Sequence, residues 1–154
     1  MSRKILVVGA GKSTSYLLDY FLEKSESESL HLTIGDLNPE SISTKITSHA
    51  NCTVLVLDVF KDDERAAAIQ NADIVVSMLP ARFHIKVAED CIRFKKHLVT
   101  ASYVSPEIME LDKVAKENGL IFMNEIGLDP GIDHMSAMQI IDRIREKGGK
   151  ILLF

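Results

Sequence analysis

Short runs of Val, Ile and Leu alternate with amphipathic stretches along the whole chain, and this alternation limits the fold more than any other feature. The runs fall at 4–8, 31–34, 53–57, 73–78, 97–101 and 120–123. None shows clean polar alternation. A strand covered on both faces has this composition, so the runs predict a parallel sheet. Between them lie helical patterns. Tyr16, Leu17, Tyr20 and Phe21 make one apolar stripe on a first helix. Further helices are predicted over 40–48, 62–70, 83–94 and 106–117. Ser105 is placed to cap the last of these, Pro106 suits its first turn, and Asn118-Gly119 is its stop signal. Pro130-Gly131 opens a final helix over 131–147, ended by Gly148-Gly149. Strand–helix repetition of this kind predicts right-handed crossovers and a doubly wound, mostly parallel α/β sheet.

The 154 residues suit one domain, 1–154. Eighteen basic and twenty-two acidic residues leave a net charge of −4, which argues against a nucleic-acid or anionic-membrane partner. No apolar run approaches the roughly 18 residues of a spanning helix. Arg3-Lys4 before ILVVGAG imitates a signal peptide, but the run is short, β-branched and followed at once by Lys12, so it reads as a strand. Cys52 and Cys91 lack disulfide-framework density and CxxC spacing, so reduced thiols and a cytoplasmic protein are expected. The polar segment 24–29 (KSESES) reads as a solvated loop. The segment 150–154 (KILLF) starts another apolar run at the end of the sequence. The expectation is an N-terminal domain whose substrate domain lies beyond residue 154.

Gly9-Ala10-Gly11-Lys12-Ser13-Thr14 closes the first strand and opens the first helix. The first glycine permits the tight turn. The second lets the backbone approach a pyrophosphate at the positive end of the helix. Thr14 occupies the third position, where Gly or Ala is usual. A P-loop, suggested by GKST, fails on frame: Leu6 stands where its first glycine is needed. Asp36 ends the second strand, in the place of the acid that holds the adenosine ribose, and the long 24–29 loop accounts for its added distance from the turn. A carboxylate there repels a 2′-phosphate, and no basic residue follows in Leu37-Asn38-Pro39-Glu40. This predicts NAD in preference to NADP. The alternative for Asp36 is a turn cap before Asn-Pro. Asp58-Val59, after the third strand, flanks the adenine edge or serves as a turn residue and a core Val. Ser77 and Leu79 end the fourth strand near the cofactor, and Pro80 stops it. The pattern is that of a Rossmann-type dinucleotide-binding domain.

GAGKST, Ser77-Met78-Leu79-Pro80, Thr100-Ala101-Ser102-Tyr103 and above all Asn124-Glu125-Ile126-Gly127-Leu128-Asp129-Pro130-Gly131-Ile132-Asp133-His134-Met135 together resemble the L-glutamate-forming saccharopine dehydrogenases, along the whole chain. The resemblance implies an oxidoreductase of lysine metabolism. Saccharopine, NAD(P)+ and water would give L-glutamate, 2-aminoadipate 6-semialdehyde and NAD(P)H. It implies cofactor contacts at Gly9, Gly11, Lys12, Ser13, Asp36, Ser77, Leu79, Leu128, Asp129 and Pro130, and substrate contacts at Ser102 and Tyr103. It also implies a small-molecule amino-acid substrate and a separate substrate domain. A homodimer is a further expectation. Lysine 6-dehydrogenase, carboxynorspermidine dehydrogenase and homospermidine synthase have similar front domains, so a lysine or polyamine substrate stays open. So does a non-catalytic NAD-sensing module, although the Ser102-Tyr103 and GLDPGID rim favours an enzyme.

No catalytic acid or base is assigned from the sequence, and no metal is expected. His31, His49, His84 and His97 are scattered, with surface or satisfied polar roles expected. Asp133 sits at a helix start, which is favourable whatever its function. His134 is expected to serve as a hydrogen-bonding group, Glu125 to orient substrate or bond its own loop, and Arg82 to meet a carboxylate or nothing. Cys91, Met123, Met135 and Met138 read as packing residues.

Overall fold

Strand β1 (Arg3–Val8) runs through the centre of a six-stranded, wholly parallel sheet. β2 (Leu30–Asp36) and β4 (Ile74–Ser77) flank it, and β3 (Cys52–Val56), β5 (His97–Thr100) and β6 (Phe122–Met123) complete the order 3-2-1-4-5-6. This is the doubly wound order, in which the sense of strand addition reverses between β1 and β4 and opens a crevice at the carboxyl ends. The computed structural model describes residues 2–42 and 44–153.

Strand periodicity explains why the runs are apolar throughout. Ile5 and Val7 face one layer and Leu6 and Val8 the other, and all four are buried. On the first side α1 (Ser15–Lys24) brings Leu18 and Leu22 against Leu32, Ile34 and Val76. On the second, α3 (Asp62–Gln70) and α4 (His84–Phe94) bring Ile69, Val87, Ala88 and Cys91 against Leu57, Val75 and Leu98.

The elements match the expected places, with four differences. The helix expected over 40–48 is a 3-10 turn at Pro39–Ser41 and a single turn, α2 (Thr44–Thr47). Ile42 is extended between them, which lets Ile42 and Ile46 both reach the core; residue 43 of that expectation lies outside the described residues. The helix over 106–117 divides into α5 (Pro106–Glu110) and α6 (Asp112–Glu117). At Leu111 the hydrogen bond tightens to the carbonyl of Ile108, and the Leu111 side chain packs on the core. The sixth strand shrinks to two residues. The terminal apolar run forms no strand among the described residues, where Leu152 and Leu153 are exposed. The expected caps are present. Ser105 Oγ accepts from the Ile108 amide with Pro106 in the first turn, and Gly119 adopts φ +68° after α6. The last helix, α7 (Ile132–Glu146), buries no residue.

Candidate functional site

The glycine turn is shaped by contacts with two neighbouring strands. Gly9 has φ +95°, and a Cβ there would lie 3.1 Å from the Met78 carbonyl oxygen. Its amide donates to the Gly35 carbonyl. At Gly11 an added Cβ would meet nothing within 4 Å, so packing does not require that glycine. A 3-10 turn, Lys12–Thr14, then leads into α1, and Lys12 and Ser13 are exposed at its mouth. The first amides of such a turn have no acceptor within the helix. Thr14, the departure from the usual third glycine, is buried and turns its hydroxyl to the Gly9 carbonyl. It therefore braces the turn.

Asp36 reaches this turn from the end of β2. Its Oδ2 accepts from the Ala10 amide at 2.7 Å and its Oδ1 from the Asn38 amide at 2.7 Å. The carboxylate thus both caps its own turn and touches the glycine turn. Asp58 likewise accepts from the Phe60 amide, and Val59 is buried. With Gly9, Asp36 and Leu79 these two line a cavity of about 180 Å³. Its far wall is an edge-to-face pair, Phe60 and Phe83, with centroids 4.9 Å apart. Neither ring was singled out from sequence, where single aromatics after a strand carry no signal. Arg82 stacks on Phe83, 4.6 Å from its centroid.

Ser77, expected at the cofactor, has its side chain buried and bonded to His84 Nδ1 at 2.8 Å. His84 Nε2 in turn meets Ser102 Oγ at 2.8 Å. Burial lowers the pKa of the imidazole below its ordinary value.

Beyond β5 and β6 the chain knits a second part of the rim. Tyr103 Oη donates to Asp129 Oδ1 at 2.6 Å, joining the two predicted segments. That bond, with desolvation and the adjacent carboxylates, raises the Tyr103 pKa. Glu125 Oε1 accepts from the Val104 amide, and the Glu125 amide donates to the Ser102 carbonyl. Leu128 and Asp129 are exposed, while Pro130 is buried where its carbonyl accepts from the Gly127 amide. Asp133 accepts from the Gly131 amide and from His134 Nδ1. Desolvation raises its pKa, but these hydrogen bonds outweigh it and leave the carboxyl below its usual value. Asp129, Asp133 and His134 offer ligand atoms within 4.8 Å of one another, and Tyr103, Gly131 and each other already engage them.

The family model "Saccharopine dehydrogenase NADP binding domain" matches residues 5–123. The chain is 39% identical over 153 residues to saccharopine dehydrogenase [NADP(+), L-glutamate-forming] of Pyricularia oryzae, covering 99% of this chain and 33% of that protein. It is 35% identical over 150 residues to the mitochondrial alpha-aminoadipic semialdehyde synthase of Bos taurus, covering 97% of this chain and 16% of that one. The structure of apo saccharopine dehydrogenase (L-Glu forming) from Saccharomyces cerevisiae superposes with a TM-score of 0.81 at 31% identity, over 97% of this chain and 33% of that chain. The chain therefore spans a third or less of the length of these relatives. With the glycine turn, the strand order and the matched residues all in agreement, the chain belongs to the saccharopine dehydrogenase NADP-binding domain family.

Proposed function

We propose that this domain binds a nicotinamide dinucleotide for an oxidoreductase that cleaves saccharopine to L-glutamate and 2-aminoadipate 6-semialdehyde. The observation that carries the reading is that the carboxyl ends of β1, β4, β5 and β6 bring the glycine turn and the Ser102–Tyr103–Asp129 rim to one side of the sheet. Ligands of open α/β sheets bind on that side. Gly11, Lys12 and Ser13 would cradle the pyrophosphate. Asp36 would take the ribose hydroxyls, and Asp58, Val59 and Leu79 would line the adenosine cavity. The bound coenzyme supplies a hydride acceptor. Loss of hydride from the carbon beside the secondary amine leaves an imine, and water cleaves the imine to the two products. Ser102 and Tyr103 would orient the amino-acid substrate, and Leu128, Asp129 and Pro130 would border the nicotinamide side. A related lysine or polyamine substrate would use the same coenzyme half.

The name of the Pyricularia oryzae relative carries NADP(+), whereas a carboxylate at the ribose, the role proposed for Asp36, would disfavour a 2′-phosphate. The proposal keeps NAD(P) as the cofactor class and gives the preference to NAD. The greater length of the relatives supports a substrate domain beyond residue 154. So does α7, whose Ile132, Met135, Met138 and Ile140 are exposed. A cytoplasmic location and a homodimer belong to the same reading. Among the described residues no helix is long and apolar enough to cross a membrane.

Steady-state assay tests the function. The protein with its substrate domain should reduce NAD(P)+ with saccharopine and release glutamate, while residues 1–154 alone should turn over none, because substrate positioning is missing. Reduction with lysine or a polyamine and none with saccharopine would replace the proposed substrate.

A further inference from the structure

The buried chain Ser77–His84–Ser102 has a direction that hydrogen-bond accounting can fix. Its two links are both 2.8 Å, and it joins the end of β4, the first residue of α4 and the segment after β5. His84 is 4% exposed and stands at the positive end of an eleven-residue helix. Both circumstances favour the neutral imidazole. A neutral imidazole carries one N–H, so it donates along one link and accepts along the other. Ser77 is fully buried and has no further side-chain partner among the described residues. Were Ser77 to accept from Nδ1, its own proton would be buried with nowhere to go. Donating to Nδ1 satisfies it and leaves only lone pairs unmet, the milder fault. His84 must then donate from Nε2 to Ser102 Oγ.

We propose that His84 is a positioning residue that holds the half-buried Ser102 hydroxyl as a hydrogen-bond donor to a substrate carboxylate. This rests on the amino-acid substrate proposed above. Ser102 Oγ already accepts from the imidazole and has no other side-chain partner among the described residues, so its proton is free for an incoming acceptor. An ammonium group, which can only donate, finds the oxygen partly used. One acceptor lone pair and the proton remain, so the rim position favours a carboxylate over an ammonium.

Two measurements test it. Long-range 15N–1H NMR of the protein without substrate reads the tautomer directly. At pH 7 His84 should carry its proton on Nε2, and Ser77→Ala should give a mixture of tautomers. A proton on Nδ1, or an imidazolium, in the unsubstituted protein overturns the proposal. The second measurement is kinetic, on the protein with its substrate domain. Ser102→Ala and His84→Leu should each raise KM for saccharopine about tenfold with kcat changed less, the effect of losing one hydrogen bond to a charged group. His84→Gln, which can still donate to Ser102, should recover most of the loss. In the Ser102→Ala background, His84→Leu should add nothing, because the two act through one group. Additive losses, or an equal loss in the Gln and Leu variants, overturn the positioning role. Absence of any saccharopine turnover by the unsubstituted protein defeats the substrate reading alone, and the tautomer still decides His84.

Discussion

The Asp36 carboxylate accepts a 2.7 Å hydrogen bond from the Ala10 amide, so the residue that would select the ribose is held by the turn that would receive the pyrophosphate. If Asp36 takes the ribose hydroxyls as proposed, this link holds the carboxylate against a 2′-phosphate. NADH should therefore bind more tightly than NADPH in a fluorescence titration. Asp36→Ala should lower NADH affinity by about tenfold or more, the range for a hydrogen bond to a charged group, and shrink the preference. Equal or reversed affinities in the unsubstituted protein would remove the role given to Asp36.

Gly9 and Gly11 should respond differently to the same substitution. Gly9→Ala puts a Cβ 3.1 Å from the Met78 carbonyl oxygen at φ +95°, and is expected to cost about 1–3 kcal/mol of stability. Gly11 has φ −65° and open space around its Cβ position, so Gly11→Ala should leave the urea midpoint nearly unchanged. Both should weaken coenzyme binding. A Gly11→Ala protein that binds coenzyme normally would place the pyrophosphate elsewhere.

The contrast shows what was legible beforehand. The strands could be read because they spell themselves out locally in Val, Ile and Leu, most fully where β1 is buried on both faces. The glycine turn could be read because its spacing is set by one strand–turn–helix junction. Residues that act over long separations could not. The place of Ser77 at the end of β4 was readable. Its partner His84 was not, since one histidine among five carries no pattern. The Phe60–Phe83 wall likewise depends on two loops brought together by β3 and β4. The breaks at Ile42 and Leu111 come from side chains reaching for the core, a tertiary demand that overrides helical periodicity.

Arg65 and Asp90 form a second long-range pair. Arg65 Nε donates to Asp90 Oδ2 at 2.8 Å and Nη1 to the Val59 carbonyl, with both side chains nearly buried. The pair ties α3 to α4 and steadies the segment carrying Asp58 and Val59. Asp90→Ala removes the buried partner of the guanidinium, which keeps the exposed Asp62 carboxylate at 2.9 Å and the Val59 carbonyl, and should destabilise by about 1–3 kcal/mol in urea unfolding. A paired replacement, Arg65→Met with Asp90→Leu, should cost far less. Equal losses would show that the charges themselves stabilise the fold.

Cys91 gives the alkaline limit of stability. Burial, with Asp90 adjoining and Lys96 partly opposing, pushes its thiol up from the ordinary 9.0 to about 12. The native protein therefore keeps a proton that the unfolded chain releases above its own thiol pKa. Between those two values the native state binds more protons, so unfolding free energy falls as pH rises. The contribution is complete below pH 9 and is lost progressively toward pH 12. Cys91→Ala should flatten this part of the stability–pH curve, at the cost of a small cavity. At pH 8 iodoacetamide should leave Cys91 unmodified in the native protein and label it in urea. Native labelling of Cys91 as fast as in urea would mean that the α4 face of the core opens, and the alkaline slope should then be absent.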